Sequence, residues 1–75
     1  MIMKKYAIIP DEFISDGIKW LVIEKDPLDS GGYFLYHHIV LEEPCVYDDW
    51  FKELEHALQA AKEDFGINEN DWKDF

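Results

Sequence analysis

The chain has 75 residues, with 17 acidic side chains against 7 lysines and a formal net charge of −10 at pH 7. It contains no arginine, so it lacks the side chain that recognises phosphate or guanine with two parallel hydrogen bonds. A chain this acidic also repels a polyanion. These totals argue against direct nucleic-acid binding and predict one small domain, near the lower size limit for folding without a disulfide or metal.

The charge and the aromatic residues both point towards a partner. Residues 1–41 hold six acids and four lysines, a net of −2, and residues 42–75 hold eleven acids and three lysines, a net of −8. An acidic surface favours solubility, and it is also an electrostatic match for a basic protein. Aromatic residues make up 16% of the chain, more than so small a core readily buries. We therefore expect some of them to face a partner, a ligand or a second copy of the chain.

The predicted cellular compartment follows from the single cysteine and from the absence of a long apolar run. Cys45 is the single cysteine, which precludes an internal disulfide and suits a reducing environment. No segment approaches the roughly 20 apolar residues that span a bilayer. Residues 1–9 run directly into Pro10, Asp11 and Glu12, which is not the pattern of a signal peptide. The sequence predicts a cytoplasmic protein that does not bind membranes.

Three strand-prone segments come first in the chain. Residues 4–9 are short and apolar and end at Pro10. Residues 18–25 and 33–40 are rich in β-branched and aromatic side chains, and the loop at residues 26–32 between them contains Pro27 and two glycines. These two runs predict a β-hairpin. Pro44 ends the third strand because proline cannot donate a hydrogen bond to a sheet.

Residues 47–67 predict one complete helix. Asp48 or Asp49 is placed to cap its first turn, and Gly66 followed by Ile67 is typical of a left-handed helix stop. The apolar residues that recur at spacings of three and four are Phe51, Leu54, Leu58, Ala61 and Phe65.

The predicted fold class is α+β. It consists of a small antiparallel three-stranded sheet, in the order β-β-β-α, with one C-terminal helix packed on one face. A fourth short strand at residues 45–47 is an alternative. One helix covers one sheet face only, so the other face keeps apolar and aromatic groups. Either a partner covers that face, or the loop at residues 10–17 and the tail at residues 68–75 do so with Phe13, Trp72 and Phe75.

The histidines do not form a recognised metal-binding pattern. His37 and His38 are neighbours on a predicted strand, so their side chains point to opposite faces. One of them could join His56 and a carboxylate of Asp48 or Asp49, but this spacing matches no known ligand motif. We predict no metal site.

No catalytic constellation is indicated either. The candidate nucleophiles are Cys45, Ser15 and Ser30, and the two serines lie in turn contexts, where a hydroxyl usually bonds backbone. A Cys45–histidine pair beside Asp48 or Asp49 is conceivable, but no spacing requires it. Adjacent carboxylates such as Asp48 and Asp49 are more simply explained by capping and surface charge. We predict a non-enzymatic protein with no catalytic residues and no cofactor.

The C-terminal part of the chain carries a pattern of residues that resembles a known kind of protein. It consists of Asp48-Asp49-Trp50-Phe51, then Leu54, Ala57 and Ala61, then Phe65-Gly66-Ile67, and finally Asp71-Trp72. This pattern, over roughly residues 47–72, resembles small uncharacterised acidic bacterial proteins of the mobile gene cassette (integron cassette) or accessory-island type. The resemblance implies an accessory role and a sheet-plus-helix fold, and it carries over no catalytic residue.

Two functions compete on this sequence. The first is a protein-interaction module that binds a protein, or itself as a homodimer, through an acidic helix region and an apolar sheet face. In one form it is an immunity or antitoxin-like protein that binds a basic toxin. The predicted partner-binding residues are Trp50, Glu53, Glu55, His56 and Trp72. The alternative is a small-ligand-binding protein with an aromatic pocket formed by Trp20, Tyr36 and Trp50, either between sheet and helix or at a homodimer interface.

Overall fold

The computed structural model describes residues 3–26, 28 and 31–74, and in this part of the chain one α-helix packs on a five-stranded antiparallel sheet. The predicted α+β class is confirmed, whereas the predicted number of three strands is wrong. The strands are β1 (Lys4–Ile8), β2 (Trp20–Lys25), β3 (Tyr33–His38), β4 (Tyr47–Phe51) and β5 (Lys73–Asp74), and the helix is α1 (Leu54–Phe65). Their order across the sheet is β4-β3-β2-β1-β5.

The predicted hairpin is confirmed. β2 and β3 pair antiparallel, from Trp20 opposite His38 to Lys25 opposite Tyr33. In the connecting loop Gly31 has a φ of 83°, a conformation that glycine adopts without steric cost. Pro27, which the sequence places in this turn, and Ser30, a candidate nucleophile, lie outside the described residues.

The predicted start of the helix is wrong. Residues 47–51 form β4 and pair with β3, and α1 begins only at Leu54, with Glu53 before its first turn. Tyr47, Trp50 and Phe51 favour the pleated surface of a strand, and β3 offers them backbone partners. Asp48 and Asp49 therefore lie in a strand and do not cap the helix.

The predicted end of the helix is confirmed. Gly66 has a φ of 69°, and its N–H donates to the carbonyl oxygen of Lys62 over 3.0 Å. Ile67 follows and is buried against the core. The turn therefore stops the helix and returns the chain to the sheet.

The tail adds a strand that the sequence did not predict. β5 pairs with β1 at the edge of the sheet, with Lys5 opposite Asp74, and the Lys5 ammonium lies 3.8 Å from the Asp74 carboxylate. A 3-10 turn at Glu69–Asp71 leads into this strand, and another at Asp11–Phe13 lies between β1 and β2. Within the described ranges, no helix is long and apolar enough to cross a bilayer.

The core lies between α1 and the sheet face towards it. Every second residue of a strand points to the same face, which gives this core its members from β1, β2 and β3. Ala57 and Ala61 are fully buried, and their small side chains let α1 approach the sheet closely. The buried members of the core are Ala7, Ile9, Ile18, Leu21, Ile23, Leu35, Ala57, Ala61 and Ile67. Phe51 packs against this core from β4, so its spacing to Leu54 reflects a shared core and not a shared helix.

Candidate interaction surface

The sheet face opposite α1 carries most of the remaining aromatic side chains. The cross-strand register sets Tyr6 opposite Val22 and Val22 opposite Tyr36, and it sets Phe34 opposite Trp50. These positions alternate with the core residues along each strand, so they point away from α1. We call this surface the aromatic face; it comprises Tyr6, Trp20, Phe34, Tyr36 and Trp50.

Aromatic contacts organise this face. The ring centroids of Tyr6 and Trp20 lie 6.0 Å apart, and those of Phe34 and Tyr36 lie 5.6 Å apart with nearly parallel planes. Val22 is only 2% exposed although α1 is on the other side of the sheet, because Tyr6 and Tyr36 flank it on the neighbouring strands. The face is therefore a packed aromatic layer with no described helix or strand over its outer side; Trp50 is exposed and the other four rings are half-buried.

The two described aromatic residues that the sequence predicts as a cover, Phe13 and Trp72, do not lie over this layer. Phe13 is beside Gly66 at the end of α1, and Trp72 packs against the core on the helix side. Phe75 lies outside the described residues. The alternative in which these residues cover the open face is therefore wrong for Phe13 and Trp72.

Trp50 lies directly on Gly32. A Cβ atom built on Gly32 would come within 2.1–2.4 Å of three atoms of the Trp50 indole, far inside van der Waals contact. Gly32 is buried, while Trp50 remains 47% exposed. The missing side chain of Gly32 thus makes the recess that seats Trp50 at the β4 end of the aromatic face.

We expect Gly32→Ala to destabilise the protein by about 1–3 kcal/mol, because the added methyl group must displace the indole. In a Trp50→Ala background the same substitution should cost less than about 0.5 kcal/mol, because the obstructing ring is gone. Urea denaturation of the four proteins of this double-mutant cycle measures the coupling. Equal costs in both backgrounds would show that the indole is not what the methyl group meets.

Tyr36 stands at the centre of the face as a neutral hydrogen-bond donor. Its hydroxyl donates to a carboxylate oxygen of Glu24 over 3.3 Å. Burial, together with the negative charges of Glu24 and Asp48, raises the pKa of Tyr36 to about 12. The phenol therefore keeps its proton throughout the physiological range.

A shallow concavity of about 270 Å³ opens beside Tyr36. Its lining is Lys4, Val22, Glu24, Tyr36, His38, Leu41 and Cys45. The Nδ1 atom of His38 lies 2.9 Å from the carbonyl oxygen of Glu43. Since a carbonyl only accepts, Nδ1 carries the hydrogen, which leaves Nε2 as the acceptor of the neutral ring. The concavity therefore combines an apolar floor with groups of both charges.

The second histidine of the pair lies on the helix side, as the predicted alternation requires. His37 donates from Nε2 to a carboxylate oxygen of Asp49 over 3.0 Å, and its side chain is 12% exposed. Its ring meets the rings of Phe65 and Tyr47 edge to face, with centroids 5.2 and 6.3 Å away. His37 thus joins β3, β4 and the end of α1. Among the described residues, no three His, Cys, Asp or Glu side chains are grouped so as to hold a metal ion.

The structure divides the predicted partner-binding residues between two sides of the molecule. Trp50 belongs to the aromatic face, whereas Trp72 packs against the core and lines an open groove along α1 with Glu55. Glu53 and Glu55 border a common concavity at the start of α1, and His56 is exposed on that helix. Trp50 and Trp72 therefore do not form one site.

The alternative ligand-binding residues do share one face, but not the predicted location. Trp20, Tyr36 and Trp50 lie on the aromatic face, on the side of the sheet away from α1. The prediction that they form a pocket between sheet and helix is wrong. The reason is strand alternation: Leu21 and Leu35, their neighbours in sequence, are the ones that face the helix.

Sequence reasoning missed Phe34 as a member of this surface, and it missed that residues 47–51 form a strand at the sheet edge. A signal for the strand was present, because aromatic residues flank Asp48 and Asp49 in a short β-prone run.

Comparisons of the chain with protein-family models, with curated proteins and with solved structures gave no match.

Proposed function

We propose that this protein is a non-enzymatic protein-interaction module whose principal binding surface is the aromatic face. The observation that carries the proposal is the open aromatic layer on the side of the sheet opposite α1. Aromatic side chains bury a large area at a small cost in conformational entropy, and they dominate the energetics of protein interfaces. A small domain that places Phe34, Tyr36 and Trp50 together outside its core has a surface suited to a protein partner.

The charge of the chain favours a basic partner. The aromatic face itself is mixed, with Lys4 opposite Glu24 and Asp48 opposite Tyr36. The surplus of acids lies in residues 42–75, which include β4 and α1. A basic partner that seats on the aromatic face and reaches over β4 would gain steering from these acids. An immunity or antitoxin-like role on a mobile gene cassette is one form of this proposal.

The test is affinity capture from the native host at low salt, with three baits compared in parallel. The wild-type chain should capture a protein that Trp50→Ser loses by about thirtyfold or more, as expected when an exposed aromatic anchor of the interface is removed. The matched control is Leu28→Ser, which removes an apolar side chain that is 88% exposed on the β2–β3 loop and should leave capture unchanged. Equal capture by all three baits would contradict the role of the aromatic face.

A further bait, which carries two substitutions, tests the contribution of the acidic charge. Glu53→Lys combined with Glu55→Lys should weaken a charge-matched complex and flatten its dependence on salt. An unchanged salt dependence would remove the basic-partner form of the proposal. Recovery of the bait alone, at twice the monomer mass by light scattering, would identify a second copy of the chain as the partner.

A small-ligand-binding role is the second candidate, favoured by the concavity beside Tyr36. Its floor of Val22 and Leu41 is apolar, and the side chains of Lys4, Glu24 and His38 offer donors and acceptors. Tryptophan fluorescence across a panel of metabolites distinguishes the two roles, because Trp20 and Trp50 lie on the same face as the concavity.

A further inference from the structure

One edge of the sheet is long and the other is short. β4 is five residues long and lies at the end of the strand order, with β3 on one side. Four of its five residues are exposed. At the opposite edge β5 has only two residues, and its Asp74 forms an ion pair with Lys5 of the neighbouring strand β1. A long edge strand presents unpaired backbone groups that another chain can extend, so β4 is the edge at which a strand could be added.

The register identifies which backbone groups of β4 point outward. Gly32 accepts a hydrogen bond from Asp26 next to β2, whereas His37 accepts one from Val46 next to β4. Backbone groups alternate along a strand, so the odd-numbered residues of β3 bond to β4. Their partners in β4 are Tyr47, Asp49 and Phe51. The N–H and C=O groups of Asp48 and Trp50 consequently point away from β3, along the free edge.

The side chains at this edge are acidic and aromatic. Asp48 and Asp49 point to opposite faces of the sheet, so both sides of the edge carry a carboxylate. Residues 42–55 contain six acids and one lysine. Tyr47 and Trp50 are 59% and 47% exposed, and they provide apolar contacts next to those carboxylates.

We propose that β4 accepts an extended, lysine- or arginine-rich segment of a partner protein as a sixth strand of the sheet. This proposal rests on the interaction function inferred above and specifies how the partner attaches. The outward N–H and C=O groups of Asp48 and Trp50 bond to the backbone of the added strand, which supplies affinity for any sequence. Two neighbouring basic side chains of that strand meet Asp48 on one face and Asp49 on the other, which supplies selectivity.

The same charges disfavour a second copy of the chain at this edge. If two copies of β4 paired antiparallel with Asp49 opposite Asp49, the two Asp49 carboxylates would lie side by side. Each Asp48 would belong to the residue pair next to them. Like charges directly opposite each other destabilise a sheet. Charged side chains on an edge are one of the means by which proteins prevent edge-to-edge self-association. A basic strand removes this repulsion, and an acidic strand adds to it.

Amide hydrogen exchange on the full chain tests the proposal residue by residue. The probe is a strand-length peptide of about eight residues in which pairs of neighbouring lysines are separated by threonine and valine, so that each face carries lysine. Its control is the same peptide with glutamate in place of lysine. At a peptide concentration about ten times Kd, exchange at the Asp48 and Trp50 amides should slow about tenfold. The amides of Tyr47 and Asp49 already bond to β3, so they should be protected with or without the peptide.

Two substitutions at one position separate charge from hydrogen bonding. Asp48→Asn removes the carboxylate and keeps the outward N–H, whereas Asp48→Pro removes both. Proline is tolerated on an edge strand when its missing N–H faces solvent, so β4 should stay paired with β3. We expect the lysine peptide to bind the proline variant about two- to tenfold more weakly than the asparagine variant, the effect of one lost hydrogen bond. The thermal unfolding midpoint of each variant checks that the fold is retained.

Three results would overturn the proposal. The first is binding of the lysine peptide without protection of the Asp48 and Trp50 amides, which would place it on the acidic surface of α1. The second is failure of the lysine peptide to bind more tightly than the glutamate peptide. The third is protection of both amides that rises with protein concentration alone, which would assign the edge to a second copy. If any of these results is obtained while capture of the partner still depends on Trp50, the aromatic face remains the proposed binding surface. Only the proposal that the partner adds a strand to β4 is then rejected.

Discussion

Ile23→Ala should lower the free energy of unfolding by about 2–5 kcal/mol, the range for truncating a large aliphatic side chain inside a core. Ile23 has no exposed surface and lies on β2, opposite Lys5 on one side and Leu35 on the other, below α1. The methylenes that are lost contact the sheet and the helix layer together, so the cavity cannot close by the movement of one side chain. A domain of this size has a total stability of roughly 4–11 kcal/mol, so the variant should lose a large fraction of its stability and unfold at a clearly lower urea concentration.

The matched control for this prediction is Ile8→Ala. Ile8 is an isoleucine on the adjacent strand β1, but its side chain is 62% exposed. Its truncation should change the stability by less than about 0.5 kcal/mol. Urea titrations followed by tryptophan fluorescence measure both variants. If the two substitutions cost the same, Ile23 does not lie in a shared core between sheet and helix.

Gly66→Ala should be the second large effect, at about 2–4 kcal/mol, because two costs add at one residue. The first is conformational, since Gly66 has a φ of 69°, where a side chain is strained. The second is steric, because a Cβ there would lie 2.6 and 2.8 Å from two ring carbons of Phe13. The helix stop and the loop between β1 and β2 meet at this point, so neither can move without disturbing the other.

Gly31→Ala isolates the first of these costs. Gly31 has a φ of 83°, but a Cβ built on it meets no atom of the described residues within 4 Å. Its substitution should therefore cost only the backbone strain, about 1–2 kcal/mol. In a Phe13→Ala background, Gly66→Ala should cost only the backbone strain, so that the difference between the two glycine substitutions disappears. Thermal and urea unfolding of this set give the comparison, and an unchanged cost of Gly66→Ala in that background would mean that Phe13 is not the obstacle.

The helix stop and the hairpin could be predicted because each depends on local chemistry. Gly66 followed by Ile67 indicates a left-handed helix end in isolation, and the two β-prone runs on either side of Gly31 and Gly32 indicate a hairpin whatever packs on them. The buried face of α1 was likewise predicted, because Leu54, Leu58 and Ala61 repeat with the period of a helix.

The start of the helix, the extent of β4 and the presence of β5 could not be settled from the sequence, because they depend on distant partners. Phe51 is three residues before Leu54, which fits the helical period, yet it reaches the same core from β4. Only the pairing of β4 with β3 decides whether residues 47–51 form a helix or a strand. β5 is two residues long and has no pattern of its own, so its pairing with β1 is a tertiary effect.

The candidate site was predicted in part for the same reason. The sequence predicts Trp20, Tyr36 and Trp50 as one group, and the structure places them on one face, but strand alternation alone does not say which face α1 covers. The seat of Trp50 on Gly32 depends on the β3–β4 register, which residues 47–51 do not reveal when they are taken for a helix.

The position of β5 beside β1 has a practical consequence for attaching the protein to other molecules. Residues near both ends of the described chain lie on the same side of the sheet, and the strand order places β4 on the far side, about 19 Å away at the usual spacing between strands. A linker or a surface support joined at either of these positions would leave β4 and Trp50 directed outward. An immobilised or fused form of the chain should therefore present its acidic edge to solution.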